Sequence, residues 1–217
     1  MKYLIYLFAF ASLSFALDVN AVLDNQKKAA FSDTAEIQMR TSIKLPGQPI
    51  QQVEINVINA GADKSVSTIK STMMQYKIVK NGTRIKMTDL KTGQTLPAQN
   101  IPQENALDVS AQLGTAEDYN TPVKVNDLWK ISPKDVTRPV LFYSQKLKRV
   151  VKMTSKLEGA DATTEFSYCD NTCSLPGTLS KIVITTKLGS GEESKITVEI
   201  LSARKRSQLP ISLFSVN

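Results

Sequence analysis

The chain has no histidine among its 217 residues, only two cysteines, and an aromatic content of 6%. Without histidine, catalytic triads based on imidazole and histidine-ligated metal sites are excluded. The remaining composition, with 41% hydrophobic and 22% charged residues, is ordinary for a globular domain and excludes a disordered tail or a multi-span membrane protein. Composition alone thus removes the most common kinds of catalytic and metal site.

Other catalytic signatures are weak. The pair Glu192-Glu193 lies beside a glycine-rich turn, where a solvated loop tip explains it. The Ser-x-x-Lys spacing occurs at 67–70 and 202–205, but neither copy opens a helix, as the catalytic motif requires. No glycine-rich phosphate-binding loop precedes a helix. We therefore predict no catalytic residue, no metal and no cofactor, in a protein that is not an enzyme.

The first sixteen residues have the pattern of an export signal. Lys2 is followed by an apolar run over 3–13 and by the small-residue ending Ser14-Phe15-Ala16. The run is too short for a membrane-spanning helix, which needs roughly twenty apolar residues. We predict a cleaved signal peptide at 1–16, a single mature domain at 17–217 without a transmembrane segment, and an oxidising compartment as its destination.

The charge of the mature chain is mildly basic. Removing Lys2 leaves 26 basic against 20 acidic residues. Such an excess favours anionic lipid headgroups or an acidic partner, and a plain solvated surface explains it equally. The basic residues are scattered along strands and form no arm with interleaved aromatics, so we predict no nucleic-acid partner.

The two cysteines, Cys169 and Cys173, have three residues between them. A redox dithiol usually has two, and two thiolates without histidine make a poor metal site. In an exported protein a disulfide is the ordinary state of such a pair. We predict a Cys169–Cys173 disulfide that closes a tight turn.

The hydrophobic period changes near residue 33. Before it, Asp18 can cap a helix with Val19, Val22 and Leu23 on one side. After it the period is two, and the apolar set of the first strand alternates with Glu36, Gln38, Arg40, Ser42 and Lys44. This alternation is typical of a half-buried antiparallel strand.

Turn signals divide the following chain into a meander of strands. Pro46-Gly47, residues 61–63 and the hairpin dipeptide Asn81-Gly82 mark turns, and a weaker strand at 64–72 is expected to continue through Tyr76 and Ile78. Glycines and prolines interrupt the segment 91–122, in which residues 105–113 can form helical turns. A segment of this length and composition is interpreted either as a functional lid or as an irregular surface loop. No strand–helix–strand alternation appears.

About ten strands are expected in all, too many for one flat sheet of this size. We therefore predict an α+β fold: a strongly curved antiparallel sheet, or half-barrel, with helices covering its concave face. The apolar positions on the early strands are expected to line that face, with Trp129 at its rim. The predicted lining residues are Ile37, Met39, Ile43, Val53, Ile55, Val57, Ile85, Met87 and Trp129. Periodicity alone fits either an open apolar cavity or a filled core.

Much of the chain resembles the outer-membrane lipoprotein carrier and sorting family, with LolA/LolB-like carriers and LppX-like relatives. The resemblance rests on weak patterns that span most of 18–216 and include no catalytic signature. They are Leu128-Trp129-Lys130-Ile131-Ser132-Pro133-Lys134, Val140-Leu141-Phe142-Tyr143 through Leu147-Lys148-Arg149-Val150, Thr164-Glu165-Phe166-Ser167-Tyr168, Leu175-Pro176 through Ile182-Val183-Ile184, and the ending Leu209-Pro210-Ile211-Ser212-Leu213-Phe214-Ser215-Val216.

The resemblance implies a periplasmic carrier or chaperone. Its cavity would bind lipid or lipoprotein acyl chains for transfer toward the outer membrane, between an inner-membrane donor and an outer-membrane acceptor. One departure concerns the family's lid latch, an arginine in an Arg-Pro-aromatic run on an early strand. No such run occurs, and Arg40 falls on the polar side of its strand, so no latch residue is assigned. The alternative is a non-enzymatic interaction or sensory module with a filled core.

Overall fold

The fold is described by a computed structural model, which covers residues 17–29, 34–61, 63–97, 113–157, 160–171, 173 and 175–216. The predicted signal peptide at 1–16 and most of the predicted helical turns at 105–113 lie outside these residues. Both remain predictions.

The N-terminal helix, α1, spans Val19–Ala29. Its start is fixed by Asp18, whose carboxylate oxygen Oδ1 accepts a hydrogen bond of 2.9 Å from the backbone N–H of Asn20. Val22, Leu23 and Gln26 are buried, and their spacing of one, three and four residues puts them on one side of the helix. The predicted helix is thus present, with one face against the sheet.

Within the described residues, thirteen strands follow and form one antiparallel sheet. They are β1 Thr34–Lys44, β2 Gln51–Ala60, β3 Lys64–Lys70, β4 Gln75–Asn81, β5 Arg84–Asp89, β6 Thr95–Leu96, β7 Val123–Val125, β8 Leu128–Ile131, β9 Val140–Ser144, β10 Arg149–Leu157, β11 Ala160–Tyr168, β12 Leu179–Lys187 and β13 Glu193–Lys205. Short 3₁₀ turns lie at Ala116–Asp118 and Ile211–Phe214.

The strand order is β6-β5-β4-β3-β2-β1-β13-β12-β11-β10-β9-β8-β7. The last strand therefore returns to pair with the first, and the sheet stays open with β6 and β7 at its edges. The predicted antiparallel half-barrel is confirmed in that the strands form one antiparallel sheet that does not close. The predicted covering of a concave face by helices stays a prediction. Among the described residues, α1 is the one α-helix whose start and end are both defined.

The expected count of about ten strands was too low. The predicted strand from 64 through 78 is two strands, because the chain reverses at 71–74. There the hydroxyl of Ser71 accepts hydrogen bonds from the backbone N–H groups of Met73 and Met74 at 3.3 and 3.1 Å. Strand β6 has two residues, too few to show an alternation.

The hairpin predicted at Asn81-Gly82 is present, but one residue further along. Asn81 pairs with Arg84, so Gly82 and Thr83 form the turn, and Gly82 has the positive φ of 62° that such turns need. The Asn81 side chain instead donates a hydrogen bond of 3.1 Å to the carbonyl of Phe214. The Asn81 side chain thereby joins the C-terminal segment to the end of β4.

The register defines two faces. We call the side that carries Ile37 and Met39 the apolar face, and the side that carries Glu36 and Arg40 the polar face. The main hydrophobic cluster includes apolar-face residues of β1 and of β8 to β13, together with Val22 and Leu23 of α1. A smaller cluster lies on the polar face, where Phe214 packs against Val66 and Val79.

Alternating charges cross the middle of the polar face. Successive partners across five strands are Lys70, Glu54, Arg40, Glu199 and Lys181. The Arg40–Glu54 and Lys181–Glu199 pairs have N–O distances of 3.3 and 3.0 Å. Each charge thus has an opposite charge on the adjacent strand, which favours this register.

Candidate functional site

The eight strand residues predicted to line a binding face do share one face. Across β1 and β2, Ile37 pairs with Val57 and Met39 with Ile55. Across β2 to β5, the register joins Val57, Ser67, Ile78 and Met87 in one row. Ile43, Val53 and Ile85 lie an even number of residues away on the same strands and point to the same side.

Trp129, from β8, belongs to this face at its far side. Ile131, two residues further along β8, begins a row that crosses the sheet to Ile43. The row is Ile131, Leu141, Met153, Thr164, Ile184, Ile196 and Ile43. The apolar face is therefore continuous between both halves of the sheet, with a single threonine among six apolar residues.

The predicted residues differ in how much of their surface is covered. Ile37, Met39 and Met87 are each 3% exposed, whereas Ile85 is 39% exposed. The remaining five are half-buried, namely Ile43, Val53, Ile55, Val57 and Trp129. Part of the face is therefore packed and part is accessible.

Helix α1 contacts this face at β10, in the C-terminal half of the sheet. Val19, Val22 and Leu23 supply the apolar part of the contact. Its polar part is Gln26, whose Oε1 accepts a hydrogen bond of 3.2 Å from the backbone N–H of Val150 and one of 3.0 Å from the Tyr168 hydroxyl. The Tyr168 hydroxyl also reaches the Val150 carbonyl, and its single hydrogen can be donated to one of the two acceptors at a time.

Burial raises the pKa of Tyr168 to about 12, although the Gln26 hydrogen bond and the charge of Arg149 oppose this rise. Tyr168 is therefore a neutral donor at physiological pH. Gln26 and Tyr168 join the helix to β10 and β11 by hydrogen bonds that a purely apolar helix contact would lack. The helix is thus anchored at a defined position on the sheet.

Several residues of the apolar face were missing from the predicted site. Ile69, Ile78, Ile184, Ile196 and Val198 lie in the same rows as the predicted residues. The sequence signal was available for most of them, because each lies on an alternating strand. What sequence reasoning lacked was the pairing of β3 with β4 as separate strands and of β13 with β1.

Tyr119 was also not foreseen. It lies in the 91–122 segment and is only 4% exposed, yet its hydroxyl has no hydrogen-bond partner within the described structure. Burial raises the pKa of Tyr119 to about 12, against an opposing effect of the Arg138 charge. This hydroxyl is a neutral donor next to the main hydrophobic cluster.

Two surface grooves lie away from the apolar face. Their volumes are about 420 and 520 Å³, and Ile211 and Phe214 of the C-terminal segment line both. Asp63 and Lys64 line the first, and Arg84 lines the second. These grooves flank the C-terminal segment on the polar face, and their charged walls do not suit an acyl chain. An open cavity on the apolar face stays a prediction.

The predicted disulfide between Cys169 and Cys173 is confirmed, with a Cα–Cα distance of 5.7 Å. It lies in the loop between β11 and β12, where the Cys169 N–H donates to the Thr178 carbonyl at 2.8 Å and the Gly177 N–H donates to the Cys169 carbonyl at 2.9 Å. The Arg149 Nε donates to the Gly177 carbonyl at 3.4 Å. The disulfide loop therefore braces the start of β10.

Within the described ranges, no three His, Cys, Asp or Glu side chains are placed so that they could bind a metal ion. In the same residues, no helix has the length and apolar character needed to span a bilayer.

Comparison with solved structures identifies the fold. The chain is similar to the LolA superfamily protein NE2245 from Nitrosomonas europaea, with a TM-score of 0.59 and 14% identity over 92% of this chain and 98% of that one. It is also similar to a putative outer membrane lipoprotein-sorting protein domain from Vibrio parahaemolyticus, with a TM-score of 0.54 and 12% identity over 91% and 97% of the chains.

A third similar structure is a DUF1329 family protein from Desulfovibrio piger, with a TM-score of 0.51 and 10% identity over 89% of this chain and 94% of that one. No protein-family profile and no curated protein sequence matches the chain. The architecture is therefore the LolA-like fold, and the resemblance seen in the sequence is confirmed at the level of fold.

Proposed function

We propose that the protein carries lipid or lipoprotein acyl chains on the apolar face of its sheet. The observation that supports this most is the half-buried set Ile43, Val53, Ile55 and Val57, which continues a packed apolar row without full coverage. Each buried CH₂ contributes about 0.8 kcal/mol, so a face of this kind can hold a chain that is insoluble in water.

The fold supports the same proposal, since two of the similar structures are described as LolA superfamily or lipoprotein-sorting proteins. With it we propose a periplasmic location after removal of residues 1–16, an inner-membrane donor and an outer-membrane acceptor as partners, and no catalytic role. In this proposal the protein acts by shielding acyl chains in transit, as a carrier or chaperone.

Substitution of Val57 by Trp tests the proposal. Val57 is half-buried at the centre of the face, next to Ile37. In an open binding face the larger ring occupies ligand volume, so uptake of a fluorescent fatty acid falls while the melting temperature changes little. In a filled core the ring overpacks, which costs about 1–3 kcal/mol of stability.

Gln52→Trp is the matched control. Gln52 lies on the same strand, is exposed, and points to the polar face. This variant introduces the same ring and is expected to bind fatty acid like the parent. The carrier proposal fails if the parent protein binds no fatty acid, or if both tryptophan variants lose binding equally.

The second candidate is a non-enzymatic interaction or sensory module with a filled core. Ile37, Met39 and Met87 favour this candidate, because each is only 3% exposed. Residues that line an open cavity, as the carrier prediction requires of these three, would be more exposed. A large drop in the melting temperature of Val57→Trp, with no fatty-acid binding by the parent, would support this alternative.

A further inference from the structure

A second feature lies at one end of the C-terminal half, where two turns extend side by side. Val125, Leu128, Ser144 and Arg149 form one row across β7 to β10. The turns at 126–127 and 145–148 both lie beyond that row, at the same end of the strands. We call these two turns, with Lys124, Val125, Trp129 and Arg149, the basic corner.

The basic corner combines exposed cations with exposed apolar side chains. Lys146 and Lys148 are exposed and flank Leu147, which is 53% exposed at the tip of the turn. Lys124 is exposed on the adjacent edge strand, where Val125 is 42% exposed. Neither Leu147 nor Val125 is buried in a hydrophobic cluster, so packing within the fold does not account for them.

The net charge of this region is positive. Its basic residues are Lys124, Lys146, Lys148 and Arg149, and the acidic residues on the two turns and the adjoining disulfide loop are Asp127 and Asp170. Four positive against two negative charges leave an excess of two. Lysines that surround a projecting leucine are the composition that interfacial membrane-binding segments use.

The corner is held by hydrogen bonds and contains an aromatic residue suited to an interface. The Leu147 N–H lies 3.3 Å from Ser144 Oγ, which accepts its hydrogen bond, and Arg149 donates to the disulfide loop at Gly177. Trp129 is half-buried, and its indole N–H donates to Gln145 Oε1 at 3.4 Å. A tryptophan with one apolar and one polar side prefers the boundary between lipid and water.

We infer that the basic corner docks the protein on the surface of a bilayer that contains anionic lipids. Lys124, Lys146 and Lys148 face the headgroups, and Leu147 enters the boundary with the acyl chains. The positive charge selects an anionic bilayer, and the exposed leucine gives binding that salt does not remove entirely. This role goes beyond acyl-chain carriage and does not depend on it.

The experiment measures co-sedimentation of the full mature chain with vesicles of phosphatidylcholine mixed with phosphatidylglycerol, and with vesicles of phosphatidylcholine alone. The parent protein is expected to bind the mixed vesicles and to bind the neutral ones weakly. Added salt lowers the affinity. Trp129 is the single tryptophan of the chain, and its emission is expected to shift to shorter wavelength on docking. Because Trp129 also lies on the apolar face, the shift reports docking only if the Lys146→Glu/Lys148→Glu variant, which leaves that face unchanged, lacks it.

The main variant is Lys146→Glu/Lys148→Glu, which is expected to lower the affinity for mixed vesicles by about tenfold or more. Its matched control is Lys44→Glu/Lys195→Glu. Lys44 and Lys195 are exposed partners at the opposite end of the strands, so this control makes the same change in net charge away from the corner. The control is expected to keep the affinity of the parent within about twofold.

Lys148→Gly separates docking from folding. Lys148 has a φ of 53°, a left-handed conformation that glycine adopts more easily than lysine. This variant therefore removes one cation while easing the backbone, and weaker vesicle binding by a protein that is at least as stable supports docking. Absence of vesicle binding by the parent, equal loss in the control, or binding without a change in Trp129 emission overturns the inference.

Discussion

The two faces of the sheet are held by different chemistry although one register aligns both. On the apolar face, rows of isoleucine, valine, leucine and methionine pack against one another and, at β10, against helix α1. These side chains are so similar that they favour no one strand register strongly. On the polar face, Lys70, Glu54, Arg40, Glu199 and Lys181 alternate in sign across five strands. The comparison indicates that burial supplies most of the stability, while the charges specify which residues are partners.

The largest effect is expected from Leu141→Ala on the apolar face. Leu141 is 0% exposed and packs in the main cluster, so truncation should cost about 2–5 kcal/mol of unfolding free energy. Chemical denaturation measures this cost. Gln52→Ala, on the exposed polar face, is the control and should change stability by no more than about 0.5 kcal/mol. Equal effects of the two substitutions would contradict the division of roles.

An intermediate effect is expected from Arg40→Glu on the polar face. The new carboxylate would lie between Glu54 and Glu199, replacing two favourable neighbours with two unfavourable ones. Because these side chains are largely exposed, the expected cost is about 1 kcal/mol, and it should shrink at high salt. The double variant Arg40→Glu/Glu54→Arg should recover part of the loss; a double variant as unstable as the single one would contradict the alternating-charge explanation.

The last effect depends on pH and concerns Glu36, a buried carboxylate on the polar face. Burial by itself would raise the pKa of Glu36, but hydrogen bonds from Arg204 and Arg206 and their positive charge outweigh it and hold the pKa below its ordinary value. The two Nε–Oε2 distances are 3.0 and 2.8 Å. The stabilisation is therefore present above the ordinary glutamate pKa of about 4.3 and is lost as pH falls through the lower folded-state value.

Melting temperatures measured from neutral to acid pH check this sign. The difference between the parent and Glu36→Gln should narrow as pH falls below about 4.3, because the parent loses a charge interaction that the variant lacks. A constant difference between the two proteins over the whole range would show that Glu36 contributes through packing alone.

Sequence reasoning recovered the apolar face because alternation on β1 and β2 is long and regular. It missed the turn at 71–74 because no glycine or proline marks it; the Ser71 hydroxyl supplies the hydrogen bonds instead. It could not find the contact of Gln26 with Val150 and Tyr168, since these residues are separated by more than a hundred positions and local periodicity carries no such information. The positive φ of Lys148 could not be predicted either, because the residue that usually signals this conformation, glycine, is absent from the turn.

The pairing of β13 with β1 has a consequence for how the sheet assembles. Gln38 and Ser202, which share a hydrogen bond across this seam, are 164 residues apart in the chain. The other strand pairs join neighbours in sequence and can form as hairpins, whereas the seam requires closure of a very long loop and is expected to form slowly. Until the last strand arrives, β1 and β12 each present an unpaired edge, which is the kind of surface that pairs wrongly with other chains. Strands β1 and β12, which lie inside the folded sheet, are therefore its exposed edges during folding, and they are the strands most open to mispairing.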